Sequence, residues 1–549
     1  MSTLASLVVF LTCAEAQAAP ATPITLSIVG TSDLHGHIAA LPWFSGYLHN
    51  LRAARRPGAV IVLDAGDMFQ GTLESNLAEG APVVDGYNAL GYSAAAIGNH
   101  EFDFGPQGPA PSPAKPGDDP QGALKARAAQ AHFPFLAANV VDRVSHRPLS
   151  WPNVLPSTLI DADGVKVGIV GVVTATTPRS ALPANVANLE FLPLATSIAR
   201  ESQRLRARGA EVVIAVAHEG GACKNFDSPD GLESCDPRSE IFSVAAQLPK
   251  RSVDAIVAGH THQAIAQRVA GIPIIQAYSN GRAFGRIDLT VDRASGKVVA
   301  SHLERPHEIC PSGTTESCKP GMYLGKPVEK DQQLATLLAP AFAAAEHKGA
   351  EHLGVEVLRP LPHNRSQETA LGNLLADLML AGLPGANVAM INGGGMRAGL
   401  PAGPLTFGRL YETFPFDNAF AFMKVSAGEF RKLVARSLGR SQSLISLSGV
   451  RVQARCKQKG LEVTLSRSDG SPLPDDTLLN LATSDFLATG GDAFFADVAS
   501  KFEIGPPIRD AMAEVLRKRG GTLAPDDPTL FDAAHLRFDL PAQVPIHCK

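Results

Sequence analysis

A short apolar run, residues 94–97, leads directly into the hexapeptide Gly98-Asn99-His100-Glu101-Phe102-Asp103. These six residues carry an amide, an imidazole and two carboxylates, and polar groups of this kind are costly to bury without partners. The hexapeptide therefore lies either in an exposed turn or at a site where polar residues from elsewhere in the chain converge. The rest of the sequence contains such residues.

Four further apolar runs end in polar residues of the same kinds. Continuous runs of valine, isoleucine and alanine predict strands that are buried on both faces, as in α/β sheets. Ligands of such sheets bind beyond the carboxyl ends of the strands, so we predict an α/β fold with one site at these ends. The five runs cover residues 24–30, 59–63, 94–97, 212–217 and 253–258.

The polar residues that follow these runs are of the types that hold metal ions. Asp33 and His35 stand two residues apart, so on an extended segment both side chains leave the same face. Seven ligands exceed what one tetrahedral ion takes, but they suit two divalent cations that share a bridging carboxylate. Such ions, about 3.5–4 Å apart, activate water and neutralise phosphoryl oxygens during displacement at phosphorus. The seven candidates are Asp33, His35, Asp67, Asn99, His218, His260 and His262.

None of these clusters is specific by itself. An Asp-x-His pair, or one histidine at a strand end, is more often a surface residue or a satisfied polar residue. Five clusters in order, each after an apolar run, make a shared two-metal site the stronger interpretation. Nitrogen and oxygen ligands without thiolate suit Zn²⁺, Mn²⁺ or Co²⁺, so the identity of the metal stays open.

The hexapeptide also contains a candidate catalytic pair. His100 stands one residue beyond the ligand Asn99 and is free to face a substrate. An imidazolium at this position would stabilise negative charge on a phosphoryl group in the transition state. Asp103 can accept a hydrogen bond from the other ring nitrogen, which fixes the tautomer and raises the basicity of the ring. For Glu101 a structural role and a role in supporting the ligands both stay open.

Length, charge and hydropathy limit the class of protein. A chain of 549 residues is too long for one hydrophobic core, so we expect at least two domains. The net charge of −4, with lysine and arginine scattered, gives no basic field, so we expect no nucleic-acid partner. Beyond the first residues, no apolar run reaches the ~18 residues of a membrane span, so we expect no stable membrane insertion.

The first residues, 1–18, have features of a secretory signal peptide. An apolar run over residues 4–12 is followed by the small residues Ala16 and Ala18, which suit a cleavage site. The segment is atypical because no lysine or arginine precedes the apolar run. We therefore expect a periplasmic or secreted protein.

Removing that segment leaves six cysteines, an even number that in an exported chain indicates disulfides. Free buried thiols are the alternative. Local pairing is favoured where two cysteines close a short polar loop, and the last pair is left only by elimination. The predicted pairs are Cys223 with Cys235, Cys310 with Cys318, and Cys456 with Cys548.

The chain divides at residues 331–348, which are rich in alanine, leucine and glutamine and predict a helix with Pro340 inside it. We predict a first domain at residues 24–327, a linker helix at 328–350 and a second α/β domain at 351–549. Two segments rich in proline and glycine, residues 106–120 and 310–325, are predicted to be surface insertions.

The first half resembles the metallophosphoesterase family. The motifs that carry the resemblance are Asp33-x-His35, Gly66-Asp67, Gly98-Asn99-His100-Glu101, His218 and Gly259-His260-x-His262. The resemblance implies a four-layer αββα domain with His100 and Asp103 as a catalytic pair. It implies one metal on Asp33, His35, Asp67 and His262, and a second on Asp67, Asn99, His218 and His260, bridged by Asp67.

The second half carries segments rich in glycine, arginine and phenylalanine at residues 364–374, 392–397, 414–418 and 485–492. Glycine triplets are usually turns, and phenylalanines of this kind are usually core residues. The segments nevertheless resemble the C-terminal domain of the 5′-nucleotidase family, so phosphate and base recognition are implied. By this resemblance Phe416 and Phe486 stack the base, with Phe414 as the alternative to Phe416. The rest of the nucleotide is bound by Arg365, Asn392, Arg397 and Asp492.

The resemblance implies an enzyme that uses two divalent metal ions to hydrolyse nucleoside 5′-phosphates to nucleosides and phosphate, and we expect it to be a monomer. UDP-sugars and nucleoside di- and triphosphates are further candidate substrates. One alternative is a 2′,3′-cyclic-nucleotide phosphodiesterase/3′-nucleotidase, but its relatives typically have asparagine at position 103 and lack the 392–397 motif. The other is a non-catalytic nucleotide-binding surface protein, against which the complete ligand set argues.

Overall fold

The computed structural model describes residues 22–548, except residues 109, 114, 312–314, 316, 442, 459 and 496–501. The predicted signal peptide, residues 1–18, lies outside the described residues. Within the described part of the chain, no helix is long and apolar enough to cross a bilayer.

Two mixed sheets pack face to face in the first half of the chain. The first sheet contains, in spatial order, Lys297–Glu308, Ala283–Asp292, Ile24–Thr31, Ala59–Asp64, Ala94–Ala96, Phe135–Leu136 and Val154–Leu155. The second contains Ala264–Val269, Ile272–Ala277, Ala255–Ala258, Val212–His218, Val165–Val173 and Ser157–Ala162. Ile28 of the first sheet and Ile214 of the second belong to one fully buried core between them.

Helices cover the outer face of each sheet. Phe44 and Tyr87 pack from two of these helices against the first sheet, and Ile198 and Leu205 pack from another against the second. The helices on the first sheet are Leu41–Ala54, Ala81–Leu90 and Gly122–Gln130, and those on the second are Leu194–Ala207 and Glu240–Gln247. The four-layer αββα architecture predicted from the sequence is confirmed.

The central strands run parallel within each sheet, which brings their carboxyl ends to common edges. Ile24–Thr31 is parallel to Ala59–Asp64, and Ala59–Asp64 is parallel to Ala94–Ala96. In the second sheet, Val212–His218 is parallel to Ala255–Ala258. All five predicted apolar runs contain strands, and the polar residues that follow them are therefore neighbours in space.

A helix over Gln332–Gly349 connects the two halves of the chain. It begins after Asp331, whose carboxylate accepts hydrogen bonds from the backbone N–H groups of Gln333 and Leu334, both at 3.0 Å. Leu338 is buried in the core of the first half, and Ala345 packs against a core of the second half. The helix therefore contacts both halves, while the domain bounds stay a prediction.

The second half is built on a five-stranded sheet of Ser446–Ser448, Val388–Ile391, Leu478–Ser484, Ala419–Ser426 and Phe502–Pro507. Alternating residues of one strand bury opposite faces, since Val388 and Met390 belong to one core and Ala389 and Ile391 to another. The main helices are Ala370–Gly382, Phe407–Thr413, Ala427–Arg440 and Ile508–Arg519. Two three-stranded sheets flank this unit: Gly403–Thr406, His352–Val357 and Gly521–Leu523, and Gly460–Arg467, Val450–Lys457 and Phe538–Asp539.

Shorter elements complete the fold. The two-stranded sheets pair Val140–Asp142 with Leu189–Phe191, and Met322–Tyr323 with Lys326–Pro327. The short helices are Ile38–Ala40, Leu73–Asn76, His100–Phe102, Thr177–Ser180, Pro183–Val186, Gly393–Gly395, Asp485–Ala488 and Gly491–Ala493.

All three predicted disulfides are confirmed. Two close short loops, and the third joins cysteines 92 positions apart, so that it ties the end of the chain to the strand Val450–Lys457. Disulfides are typical of proteins that work outside the reducing cytoplasm, so an extracytoplasmic location is supported. The pairs are Cys223–Cys235, Cys310–Cys318 and Cys456–Cys548.

Candidate active site

One group of ligand-type side chains lies at the carboxyl edge of the first sheet. His262 Nε2 lies 3.6 Å from Asp33 Oδ1 and 3.0 Å from His35 Nε2. The metal-binding atoms of these three side chains lie within 4.8 Å of one another, and Asp33 and His35 are buried. This group joins His35 to a residue 227 positions further along the chain.

A second group lies beside the first. His218 Nε2 is 3.0 Å from Asn99 Oδ1, 3.2 Å from His260 Nδ1 and 3.1 Å from Asp67 Oδ2. The same Asp67 Oδ2 is 3.9 Å from His35 Nε2 in the first group. One carboxylate oxygen therefore faces both groups, which is the arrangement that a bridging ligand requires.

The orientation of two imidazoles fits the binding of cations. His35 Nδ1 is 2.7 Å from the carbonyl of Gln70, and His218 Nδ1 is 2.8 Å from the carbonyl of Ala65. When Nδ1 donates its proton to a carbonyl, the lone pair of Nε2 is directed at the ligand group. Each group is then a set of converging nitrogen and oxygen lone pairs, which repel one another unless a positive charge lies between them. The donor set therefore fits a pair of divalent metal ions.

The electrostatics of the cluster agree with this assignment. Burial lowers the pKa of both His260 and His262 to about 3, so these rings are neutral, the form that binds a metal. Although burial opposes it, the Asp67 carboxylate raises the pKa of His218 to about 10. The negative charge of Asp67 therefore favours a positive charge beside it.

Five of the seven ligand-type residues have left-handed backbone conformations. We predicted an extended segment for Asp33 and His35, and this was wrong: their φ angles are 51° and 49°. The segment is held by hydrogen bonds from Asp33 N to Gly66 O at 2.8 Å and from His35 N to Asp67 O at 3.0 Å. Such conformations store roughly 1–3 kcal/mol each and persist where the surroundings enforce them. The others are Asp67 at 57°, His260 at 75° and His262 at 57°.

Glu101 holds two of the ligand loops together. Its Oε2 accepts hydrogen bonds from the backbone N–H groups of Asp67 at 2.9 Å and Gly98 at 2.6 Å. Its Oε1 accepts from Met68 at 2.7 Å and Phe69 at 3.3 Å. The side chain is 1% exposed. Between the two roles left open by the sequence, these contacts favour the role in supporting the ligands, since Glu101 holds the backbone of the candidate ligand Asp67.

The catalytic pair predicted from the sequence is adjacent to the second ligand group. His100 Nδ1 is 2.5 Å from Asp103 Oδ2, and the backbone N–H of His100 donates to Asp67 Oδ1 at 2.8 Å. The other ring nitrogen, Nε2, lies 4.0 Å from Asp67 Oδ2. Burial would lower the pKa of His100, but the carboxylates of Asp103 and Asp67 raise it above its usual value. The ring is oriented so that Nε2 can donate to a bound anion.

A cavity of about 1000 Å³ lies above the metal-ligand cluster and between the two halves of the chain. Asp33, His35 and His218 are buried and do not line it. Four of the seven ligand-type residues line it, together with the catalytic pair: Asp67, Asn99, His100, Asp103, His260 and His262. The second half contributes all six predicted substrate-binding residues: Arg365, Asn392, Arg397, Phe416, Phe486 and Asp492.

The two phenylalanines of the Phe-Pro-Phe motif have different environments. Phe414 is 1% exposed and belongs to a core of the second half, whereas Phe416 lines the cavity. The Phe416 ring centroid is 5.7 Å from that of His100 and 5.8 Å from the Arg397 guanidinium. Burial and the neighbouring Arg365 lower the pKa of Arg397 to about 10, so it stays cationic at neutral pH. These positions favour Phe416 over Phe414 as the base-stacking residue.

Three of the remaining predicted residues, Asn392, Phe486 and Asp492, lie close to one another. Asn392 Nδ2 donates to Asp492 Oδ2 at 2.7 Å. Phe486 lies over Gly491, where an added Cβ would come within 2.5 Å of the Phe486 ring. Gly491 is therefore needed for the position of this ring.

Sequence reasoning missed residues that contact the second half from the first. Gln70 Nε2 donates to the carbonyl of Pro415 at 3.1 Å, and Asn76 Nδ2 lies 3.4 Å from the same oxygen. Gln70 stands three residues after the candidate ligand Asp67, and this closeness in sequence is the signal that could have identified it. The predicted surface insertion at 106–120 also lines the cavity, through Gln107, Gly108 and Pro111.

Comparisons with known proteins agree with this description. Residues 26–264 match the calcineurin-like phosphoesterase family, and residues 349–498 match the 5′-nucleotidase C-terminal domain. Protein UshA of Yersinia enterocolitica is 27% identical over 516 residues, which cover 85% of this chain and 86% of that protein. Endonuclease YhcR of Bacillus subtilis is 26% identical over 504 residues, but this chain spans only 38% of its length.

The fold has a solved counterpart in a 5′-nucleotidase precursor from Thermus thermophilus, with a TM-score of 0.70 and 23% identity. That similarity covers 92% of this chain and all of the other one. Both family matches follow the chain in the same order as the two halves of the structure, and the ligand groups lie in the first of them. The chain therefore belongs to the 5′-nucleotidase family, as a hydrolase with a metallophosphoesterase domain and a 5′-nucleotidase C-terminal domain.

Proposed function

We propose that this protein hydrolyses nucleoside 5′-phosphates to nucleosides and phosphate. One observation carries the proposal: the ligand cluster and the aromatic and arginine side chains of the second half line the same cavity. A phosphate at the cluster and a base between phenylalanines can then be bound by one molecule. UDP-sugars and nucleoside di- and triphosphates are further substrates that the proposal includes.

The site would hold two divalent ions such as Zn²⁺, Mn²⁺ or Co²⁺. When bound, the ions supply Lewis acidity and lower the pKa of water, so that a nucleophile is available at neutral pH. The proposed ligands of one ion are Asp33, His35, Asp67 and His262. Those of the other are Asp67, Asn99, His218 and His260.

The remaining side chains have separate proposed roles. His100, held by Asp103, donates from Nε2 to a phosphoryl oxygen and stabilises the charge that develops there. Arg397 and Arg365 neutralise phosphate or bind the sugar, with Asn392 and Asp492. Phe416 and Phe486 stack the base, a contact of about 1–3 kcal/mol in nucleic-acid binders.

The disulfides also bear on the compartment in which the enzyme works. The three disulfides fit an oxidising compartment, so we propose a periplasmic or secreted monomer. The metallophosphoesterase domain would cover residues 24–327, the linker helix 328–350 and the substrate-binding domain 351–549.

The proposal is tested by phosphate release from purified protein loaded in turn with Mn²⁺, Zn²⁺ and Co²⁺. The substrates are nucleoside mono- and diphosphates, UDP-glucose and 2′,3′-cyclic nucleotides. We expect nucleoside 5′-monophosphates to give the highest kcat/KM. Preference for cyclic nucleotides would replace the proposal with the phosphodiesterase alternative, and metal binding without any hydrolysis would favour a binding protein.

His100 supplies a test of the catalytic role. His100→Ala should reduce kcat by about 10²–10⁴-fold and leave metal affinity unchanged, since this ring is not a proposed ligand. The control is His132→Ala, which removes an exposed imidazole far along the chain from the ligand clusters. Wild-type turnover in His100→Ala would refute the role of His100.

A further inference from the structure

The loop that carries Phe416 is held through three consecutive backbone carbonyls. It connects the helix Phe407–Thr413 with the strand Ala419–Ser426. The middle carbonyl, of Pro415, accepts from Gln70 of the first half. The carbonyls on either side, of Phe414 and Phe416, both accept from Arg509 Nη1 at 3.1 Å.

Arg509 lies in the first turn of the helix Ile508–Arg519 and makes two further contacts. Its Nη2 forms an ion pair with the Asp417 carboxylate, the residue directly after Phe416. Its guanidinium carbon lies 3.8 Å from the centroid of the Tyr411 ring, so the planar group packs on that ring. The guanidinium therefore contacts the backbone or side chain of residues 411, 414, 416 and 417, but it does not line the cavity.

The burial of Arg509 indicates that this arrangement is specific. The residue is 8% exposed, and a charge with so little access to water is retained only where partners compensate its desolvation. Its Nη1 and Nη2 donate to one carboxylate and two carbonyls of a single loop, whereas the buried Nε has no hydrogen-bond partner among the described residues. A lysine could not reproduce this, because it is a point charge without the planar fork of arginine.

We propose that Arg509 is a positioning residue for base recognition, acting through Phe416 on any phosphate ester that carries a nucleobase. Arg509 fixes the carbonyl of Phe416 and the side chain of the next residue, so it sets the direction in which the Phe416 ring enters the cavity. Substrates without a base do not use that ring and are indifferent to Arg509. This inference rests on the proposed function, because it assumes a nucleotide substrate.

The test compares two substrates that differ only by the base, adenosine 5′-phosphate and ribose 5-phosphate. Arg509→Ala should raise KM for adenosine 5′-phosphate about tenfold, within the range of one stacking contact, and leave kcat within about twofold. For ribose 5-phosphate, kcat/KM should stay within about twofold of wild type, because the phosphate site is not altered. Arg509→Lys should recover only part of the lost affinity.

The matched control is Arg519→Ala, which removes another arginine of the same helix, whose nearest carboxylate partner, Asp527, lies 4.0 Å away. It should leave both substrates unchanged. Equal losses on both substrates, or an unchanged KM for adenosine 5′-phosphate in Arg509→Ala, would overturn the inference. If Arg509→Ala does not fold, Arg509→Lys decides by the same comparison. Failure of the wild-type protein to cleave any nucleotide would instead refute the proposed function.

Discussion

Glu101 provides the sharpest test of how the metal site is assembled. Each carboxylate oxygen accepts two backbone N–H groups, from residues 67 and 98 at one oxygen and from residues 68 and 69 at the other. In Glu101→Gln, one of the two oxygens becomes an NH₂ group, which cannot accept. Whichever way the amide turns, two buried N–H groups lose their acceptor.

The expected magnitude follows from these contacts. Leaving a buried N–H group without an acceptor costs about 1–3 kcal/mol, so two such groups cost about 2–6 kcal/mol. We therefore expect the free energy of unfolding of the metal-free protein to fall by at least about 2 kcal/mol. We also expect metal affinity to fall about 10–100-fold, because the loop that carries Asp67 is no longer fixed.

Urea unfolding followed by circular dichroism measures the first quantity, and competition with a chromophoric zinc chelator measures the second. The control is Glu514→Gln, which alters an exposed carboxylate paired with Lys518 on one helix and should leave the free energy of unfolding unchanged. If Glu101→Gln unfolds and binds zinc like the wild type, the carboxylate does not organise the ligand loops and the reasoning is refuted.

Three further predictions follow from other contacts. Phe416→Ala and Phe486→Ala should each raise KM for nucleoside 5′-phosphates about 5–150-fold, the equivalent of 1–3 kcal/mol of stacking, and equal losses on ribose 5-phosphate would contradict this. Gln70→Ala keeps the backbone carbonyl that orients His35 but loses the bond to Pro415. It should therefore raise nucleotide KM roughly fivefold, with zinc affinity unchanged in the chelator assay. Cys548→Ser opens the largest covalent loop and should lower the unfolding free energy by about 4–5 kcal/mol; an unchanged urea midpoint would contradict this.

The sequence predicted the strands and the ligand set because both have local signatures. Apolar runs such as residues 212–217 give buried parallel strands, and the residue after a run lies at the carboxyl edge, as His218 does. The identity of the ligands follows from residue chemistry alone. These two facts were enough to predict which side chains converge, although they are distant in sequence.

The conformation of the ligand loops had no such signature. A left-handed φ at Asp33 is enforced by its hydrogen bond to Gly66, which belongs to a different loop. A non-glycine residue in this region does not show itself by its type, so extended geometry was the default expectation. The backbone contacts of Glu101 could not be predicted for the same reason, because they form only where two loops come together in the folded chain.

The contacts that hold the Phe416 loop were also beyond the sequence. Arg509 and Phe416 are 93 positions apart, and Gln70 and Pro415 are 345 positions apart. Each contact is made by a single side chain, so neither produces a periodic pattern. The helix Ile508–Arg519 would look the same from its sequence whether its first arginine faced solvent or a loop.

The metal cluster alone cannot select a nucleotide, because it contacts only what all phosphate esters share. Selection requires the second domain to be held at a fixed distance from the cluster, and the Pro415 carbonyl lies at that contact. On one side, Gln70 joins it to the segment whose carbonyl orients the proposed ligand His35. On the other side, Arg509 holds the flanking carbonyls within the second domain. The position of the proposed base-stacking ring is thus tied to the position of a proposed metal ligand, so nucleotide affinity should depend on both contacts, whereas cleavage of an ester without a base should depend on neither.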